Sequence, residues 1–429
     1  MKSSSSDTPP CVLIGLDWGD RQHALCLLWP DGSREHALIE HTPEAIAQWV
    51  AEVQSRAKGG RILIALEQSR GALFNALVGY EGLELVPINP KQLARYRESI
   101  YPSGAKTDPK DAELLAEFLK NHHHKLARFT ALDEQTRRLD ETSRLRRKLV
   151  DDRKTLFQKL QSTLKLYFPQ LLAWCSATPQ NGMLLALLRR WPSLSELSRE
   201  HPKTLRKFLA EHGIKDADRQ TEWIKTVRGA TPLTLDQCLI GPRATYAQSL
   251  ARQIAELNRS IAEFEKQLDE ATSAHPDGAL FRSLPGAGAV LTPRLIAAFG
   301  SDRDRYQTAE ELQKKSGIAP ITKKSGQSWL VLSRIACPKY LRQTFHEFAE
   351  YARRFSDWSR AFYAMKRAQG MHHHAAVRAL AYKWIRIIFR MWQTRTPYSE
   401  ALYLEHLKSH HSPLLAYLNP TQQQNENNP

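Results

Sequence analysis

A chain of 429 residues, 42% hydrophobic and 25% charged, has enough apolar material for a buried core and two or three domains, which excludes a wholly disordered protein. Its 61 Lys and Arg against 45 Asp and Glu leave a net charge of +16, so the surface attracts polyanions and nucleic acid is the leading partner class. Its five cysteines stand singly without zinc spacing, and no run approaches the roughly 20 apolar residues of a membrane span, so a reduced, cytoplasmic protein without a membrane partner is expected.

Residues 1–10 read as a disordered tail. The apolar run CVLIGLDWG, then HALCLLWP and, after the turn DGS, REHALIEHT predict a three-strand meander. A helix from about Pro43 to Lys58, a strand RILIALE, a helix from about Gly71, a strand LELVPIN and a helix opening near Asp108 follow. A meander followed by alternating strands and helices predicts an α/β domain over residues 11–130, with a mixed sheet covered by helices.

Residues 131–280 read as a helical, coiled-coil-like region. Ile254, Leu257, Ile261, Phe264 and Leu268 step by three and four, and the two long helices are expected to pack antiparallel around a small helical insertion at about 169–240. Residues 281–396 predict a mostly α-helical C-terminal domain, and 397–429 a tail that is low in complexity from about Ser412. Between Ile321 and Thr396 there are fifteen Lys or Arg against three acids, so much of the positive charge is concentrated there.

Asp17 and Glu67 each close an apolar strand, where an acid is costly unless it is paired, hydrogen-bonded or on a metal, or else points into water. Asp108 and Asp111 are three apart at a helix start, which suits an N-cap and a first-turn charge as well as a metal ligand. Together the four acids suit a site for phosphoryl transfer with Mg²⁺, or Mn²⁺ in its place. In SLPGAGAVLTPRLIAAFG, Gly286 and Gly288 predict a helix-hairpin-helix turn that lets backbone N–H groups approach phosphates, or an ordinary turn between helices. The stretch KKSGIAPITKKSGQSW predicts a surface loop carrying Ser325 beside Lys323 and Lys324; Ser325 reads as a turn former, or as a nucleophile if a metal or base activates it.

GLDWG, ALEQSRG, INPKQLARYRES with KTDPKDAELLAEF, and LPGAG with GIAPITKKSG and YLRQ, taken in order, resemble the DEDD-type transposases of the insertion sequence 110 family, relatives of the Piv DNA invertases. The resemblance spans about residues 11–130 and 281–392. It implies a ribonuclease-H-like, RuvC-like first domain in which Asp17, Glu67, Asp108 and Asp111 are the four acids, and a C-terminal transposase domain with Ser325 as nucleophile. It implies DNA partners at the element ends and target, in some members a structured RNA that chooses the sites, a dimer or tetramer, and a nucleoid-associated place in a bacterial or archaeal cell. Lys323, Lys324, Arg334, Lys339 and Arg342, with Gly286 and Gly288, are the expected nucleic-acid contacts. The stretch SRIACPKYLRQ departs from the family, with Arg334 in a Lys place and no Gly after it. A RuvC-like junction resolvase using the four acids alone, or a non-catalytic nucleic-acid binder, would also fit the residues.

Overall fold

The computed structural model describes residues 12–67, 70–101, 107–326 and 328–418. The expected tail at 1–10 lies outside the described residues. The chain divides into two compact units, residues 1–131 and 132–429. Among the described residues no helix is long and apolar enough to cross a membrane.

The first unit is a five-stranded mixed sheet in the order β3-β2-β1-β4-β5, formed by β1 (Val12–Asp17), β2 (Gln22–Leu28), β3 (Arg34–Glu40), β4 (Ile62–Leu66) and β5 (Leu83–Pro87). β2 is antiparallel to both β1 and β3, whereas β4 is parallel to β1 and β5. Helices cover both faces, which is why β1 and β4 are nearly continuous apolar runs without polar alternation. On one face Val12, Ile14, Leu16, Ile62 and Ile64 pack with Trp49 and Val50 of α1 (Pro43–Ala57) and with Leu73 and Phe74 of α2 (Ala72–Val78). After α3 (Pro90–Ile100), α4 (Asp108–His122) lies on the other face, where Leu114, Leu115 and Phe118 meet Leu63, Ala65 and Val86. Such an arrangement is consistent with a ribonuclease-H-like domain.

α4 comes unusually close to β1 at one residue. A Cβ on Gly15 would stand 1.9 Å from the Ala112 carbonyl oxygen and 2.4 Å from the Ala116 nitrogen. Gly15 thus lets the helix rest on the strand backbone, two residues before Asp17 and one turn after Asp108.

The second unit is almost wholly helical. α5 (Glu134–Leu164) and α11 (Gln237–Ala274) run antiparallel: Thr136 meets His275, Arg146 meets Glu265 and Arg153 meets Asn258, so residue numbers rise on one helix as they fall on the other. Ile254, Ile261 and Leu268 are buried at a spacing of seven, the repeat that keeps one stripe facing a partner helix. Between them come α6 (Gln170–Trp174), α7 (Gly182–Arg190), α8 (Leu194–Arg199), α9 (Pro202–Glu211) and α10 (Ala217–Arg228), sharing a core with the adjoining ends of α5 and α11.

The rest comprises α12 (Gly278–Arg282), α13 (Gly288–Phe299), α14 (Ala309–Lys315), a two-stranded hairpin of β6 (Ile321–Ser325) and β7 (Ser328–Leu332), then α15 (Lys339–Phe355), α16 (Asp357–Ala368), α17 (His373–Thr394) and α18 (Glu400–Ser409). Its core holds Trp358, Trp384 and Trp392, whose indole N–H groups donate to Tyr398 Oη at 2.7 Å, Ser359 Oγ at 3.1 Å and the Gly300 carbonyl at 2.8 Å. Each ring is thereby buried with its polar handle satisfied.

Two expectations need correction. The Gly-, Ser- and Lys-rich stretch is not a loop throughout, because residues 321–332 form the hairpin, with Gly326 at φ +56° in its turn. Nor does a tail begin at 397: α18 follows, and a 3₁₀ turn, Pro413–Tyr417, seats the buried Leu414 on the helical core.

Candidate active site

β1 and β4 are parallel neighbours with Leu16 opposite Leu66, so the acids that follow them, Asp17 and Glu67, emerge side by side at the carboxyl edge of the sheet. Ligands of open α/β sheets bind at that edge. α4, seated on Gly15, brings Asp108 to the same place. The three acids line one pocket of about 220 Å³ together with Trp18, Leu66, Leu73 and Phe74.

Asp111 does not line it. It is 3% exposed, and its Oδ1 accepts a 2.7 Å charge-assisted bond from Arg97 Nη2 on α3. A buried carboxylate needs such a partner. The capping alternative for Asp108 fails in its literal form: Thr107 is the N-cap residue and Asp108 is the first residue of α4. Among the described residues no three Asp, Glu, His or Cys side chains are drawn together tightly enough to hold a metal ion. The carboxylates of Asp17, Glu67 and Asp108 around one small polar pocket nevertheless offer the donor chemistry that a hard divalent cation takes, whereas Asp111 is engaged with Arg97.

Sequence reasoning missed two features here. Trp18 is 42% exposed and forms part of the pocket wall, offering an indole face beside the acids. His23 is fully buried in β2; its Nδ1 accepts from the Gly19 amide at 3.3 Å and its Nε2 lies 2.9 Å from His41 Nδ1. Because Nδ1 accepts, the ring proton sits on Nε2, so His23 donates to His41. Burial, and then His41, push the His23 pKa down to about 4. This neutral ring pins the turn that follows Asp17 and Trp18. The signal was a lone His four residues after Gly19, just before the apolar run ALCLL.

In the second unit, Ser325 ends β6 at the exposed tip of the hairpin, paired in register with Ser328. Lys323 and Lys324 precede it on the same strand, and Lys324 Nζ stands 5.7 Å from the Trp329 ring centroid. Trp329, Leu330, Val331 and Leu332 are all exposed. Gly286 and Gly288 have φ of +73° and +54° in the turn between α12 and α13. They differ in surroundings: a Cβ on Gly286 would meet Phe355 at 2.8 Å and the Tyr351 backbone at 3.1 Å, whereas Gly288 faces open space at the start of α13. Gly286 therefore serves close packing on α15, and Gly288 is the one with room for a ligand. Lys339 is exposed at the first position of α15. Arg342 is committed to the fold, donating from Nη1 to the Arg334 carbonyl at 3.1 Å.

Residues 14–169 match the DEDD transposase family model of IS110, and residues 278–364 match the transposase model of the IS116/IS110/IS902 family. The chain is 26% identical over 402 residues to the candidate transposase of the mini-circle IS117 in Streptomyces coelicolor, covering 91% of this chain and 95% of that protein. It is 25% identical over 410 residues to the 42 kDa protein of insertion element IS900 in Mycobacterium paratuberculosis, covering 91% and 98%. It is 26% identical over 398 residues to the 43.6 kDa protein of IS110 in Streptomyces coelicolor, covering 91% and 96%.

Proposed function

The chain belongs to the IS110 family of transposases, and from that premise we propose that it moves a DNA element by strand exchange through a covalent Ser325 ester, with the acid pocket beside the scissile phosphate. The carrying observation is the β1–β4 register, which sets Asp17 beside Glu67 in the pocket that Asp108 completes.

In this reading Ser325 Oγ attacks phosphorus, one P–O bond to a sugar oxygen breaks, and the leaving sugar hydroxyl takes up a proton as the serine loses one. A sugar hydroxyl of the incoming strand then attacks the phosphoserine, restoring a phosphodiester and the serine. Bonds of one kind are exchanged throughout, so neither nucleotide hydrolysis nor water is needed. Bound at Asp17, Glu67 and Asp108, Mg²⁺ would supply charge stabilisation for the phosphoryl oxygens and lower the pKa of an attacking or leaving hydroxyl. The His23 contact holds the Asp17 turn in place, and Trp18 supplies an apolar wall against a base or sugar. Exposure at a hairpin tip gives Ser325 the reach that a buried serine lacks, while Lys323 and Lys324 attract the phosphate.

We further propose that a structured RNA encoded by the element selects the DNA sites and that the chain acts as a dimer or tetramer. Base pairing then carries specificity, the basic C-terminal region holds the backbones, and exchange of several strands requires several sites held together. Gly288, Lys323, Lys324 and Lys339 suit direct contact with nucleic acid; Gly286 and Arg342 act through packing and the Arg334 turn.

Because the acid pocket is built wholly within the first unit, a nuclease using water is the second reading. Strand cleavage and transfer on joined element ends, with and without RNA from the element's flanks, separates them. Asp17→Asn, Glu67→Gln and Asp108→Asn should each abolish Mg²⁺-dependent cleavage, and Ser325→Ala should abolish both cleavage and transfer. Cleavage that survives Ser325→Ala favours the nuclease, whereas DNA binding without Mg²⁺-dependent chemistry in the unaltered chain favours a non-catalytic binder.

A further inference from the structure

α17 and α18 enclose a groove of about 880 Å³ whose floor and walls include Met391, Leu402 and Tyr403, and whose rim carries Lys383, Arg386 and Arg390. The three cations recur at steps of three and four, so they stand along one side of α17. Among the described residues none of them forms an ion pair. Three other arginines of this unit are matched with acids: Arg294 with Glu347, Arg303 with Asp277, Arg353 with Glu350. Glu400, the acid at the start of α18, is taken up by Ser356, the Trp358 amide and the Tyr398 hydroxyl.

Lys383 is half-buried, its Nζ 5.2 Å from the Trp358 ring centroid, 5.0 Å from Phe362 and 5.7 Å from Tyr403. Its burial, with Arg386 and Lys366 nearby, holds its pKa below the usual lysine value, an arrangement that an arriving anion would relieve. Leu402 is 65% exposed at the groove mouth. An unneutralised row of cations beside an apolar and aromatic trough calls for a ligand with both anionic and flat apolar parts. Duplex DNA would satisfy the cations but keep its bases stacked inside, leaving the trough uncovered. A single strand supplies phosphates for the row and unstacked bases for the trough.

We propose that the groove between α17 and α18 binds an unpaired DNA strand, with phosphates on Lys383, Arg386 and Arg390 and a base against Tyr403 and Leu402. This rests on the strand-exchange reading above, in which DNA strands are parted. The groove lies outside both family-matched segments, since α17 begins at His373.

The test is fluorescence anisotropy of labelled oligothymidylate with the full-length protein across a salt series, beside duplex DNA and oligouridylate. Arg386→Gln combined with Arg390→Gln should weaken oligothymidylate binding about tenfold or more and reduce the salt slope by about 1.4, the share of two single-strand phosphate contacts. Leu402→Gln, which removes the apolar contact without adding charge, should weaken oligothymidylate and leave the duplex unchanged. All three residues are exposed, so the fold is kept, which the melting temperature checks. Unchanged oligothymidylate affinity, or equal losses for duplex, would overturn the proposal. Losses confined to oligouridylate would make RNA the occupant, and a fall in oligomeric state with DNA binding intact would make it a second copy; either overturns the assignment to DNA. A Ser325–DNA ester that persists while the groove variants bind normally would sink the groove alone, and loss of that ester from the unaltered chain would sink the reading beneath it.

Discussion

Gly15→Ala tests how the fold positions the acids. The added Cβ would begin 1.9 Å from the Ala112 carbonyl oxygen, and ordinary contact needs roughly 3.4 Å, so α4 must move away from β1 by about 1.5 Å. Overpacking of this kind costs about 1–3 kcal/mol, or roughly 2–10 °C in melting temperature for a domain of this size. The functional loss should be larger than the stability loss implies, because α4 carries Asp108 and a misplacement near 1 Å can cost on the order of 100-fold in rate. Calorimetry of the full chain and a Mg²⁺-dependent cleavage assay, both run where the variant is fully folded, give the two numbers. A variant with unchanged melting temperature and unchanged cleavage would refute the idea that contact at Gly15 sets the pocket.

Three other substitutions follow from local geometry. Arg97→Ala removes the guanidinium from the buried Asp111 carboxylate and should cost about 2–4 kcal/mol in denaturant unfolding of the first unit, with Arg97→Lys recovering part of it; a loss under 0.5 kcal/mol, roughly that of an exposed pair, would contradict the pairing. His23 has a folded pKa of about 4 against 6.5 when free, so the unfolded chain binds the extra proton between those values. Its stabilising contribution is complete above pH 6.5 and declines by about 3 kcal/mol as pH falls to 4. His23→Gln should flatten that part of the stability profile, and an unchanged slope would show that His23 titrates normally. Gly326→Ala places a side chain at φ +56°, costing about 1 kcal/mol and splaying the hairpin tip, so Ser325 ester formation should slow while DNA affinity stays level. Equal ester formation rates would contradict a role for the tight turn.

The first unit was legible because its central strands β1 and β4 are buried on both faces: the runs ILIAL and VLIGL cannot be solvated, and the acids that end them had to surface together. Asp111 was legible only as a spacing. Its partner Arg97 lies on another helix, and no local pattern announces a pair across α3 and α4. The hairpin was hidden for the opposite reason to the sheet. Its strands are exposed along most of their length, so no alternation of apolar and polar residues marks them, and ITKKSGQSWLVL carries only a Gly in its turn as a sign. α18 was obscured by the His, Ser and Gln around it, although Leu407 and Leu414 anchor that segment to the tryptophan core. His23 reads as one polar interruption in HALCLL, and only the folded turn shows that it bonds back to Gly19.

The most direct measurement is to trap the protein on joined element ends in Mg²⁺, digest it, and identify the DNA-linked peptide by mass spectrometry. The expected result is one nucleotide-bearing peptide with the adduct on Ser325, absent in Asp17→Asn and in Ser325→Ala. DNA linked to another residue, or cleaved ends bearing free phosphates with no protein attached, would contradict the serine strand-exchange mechanism.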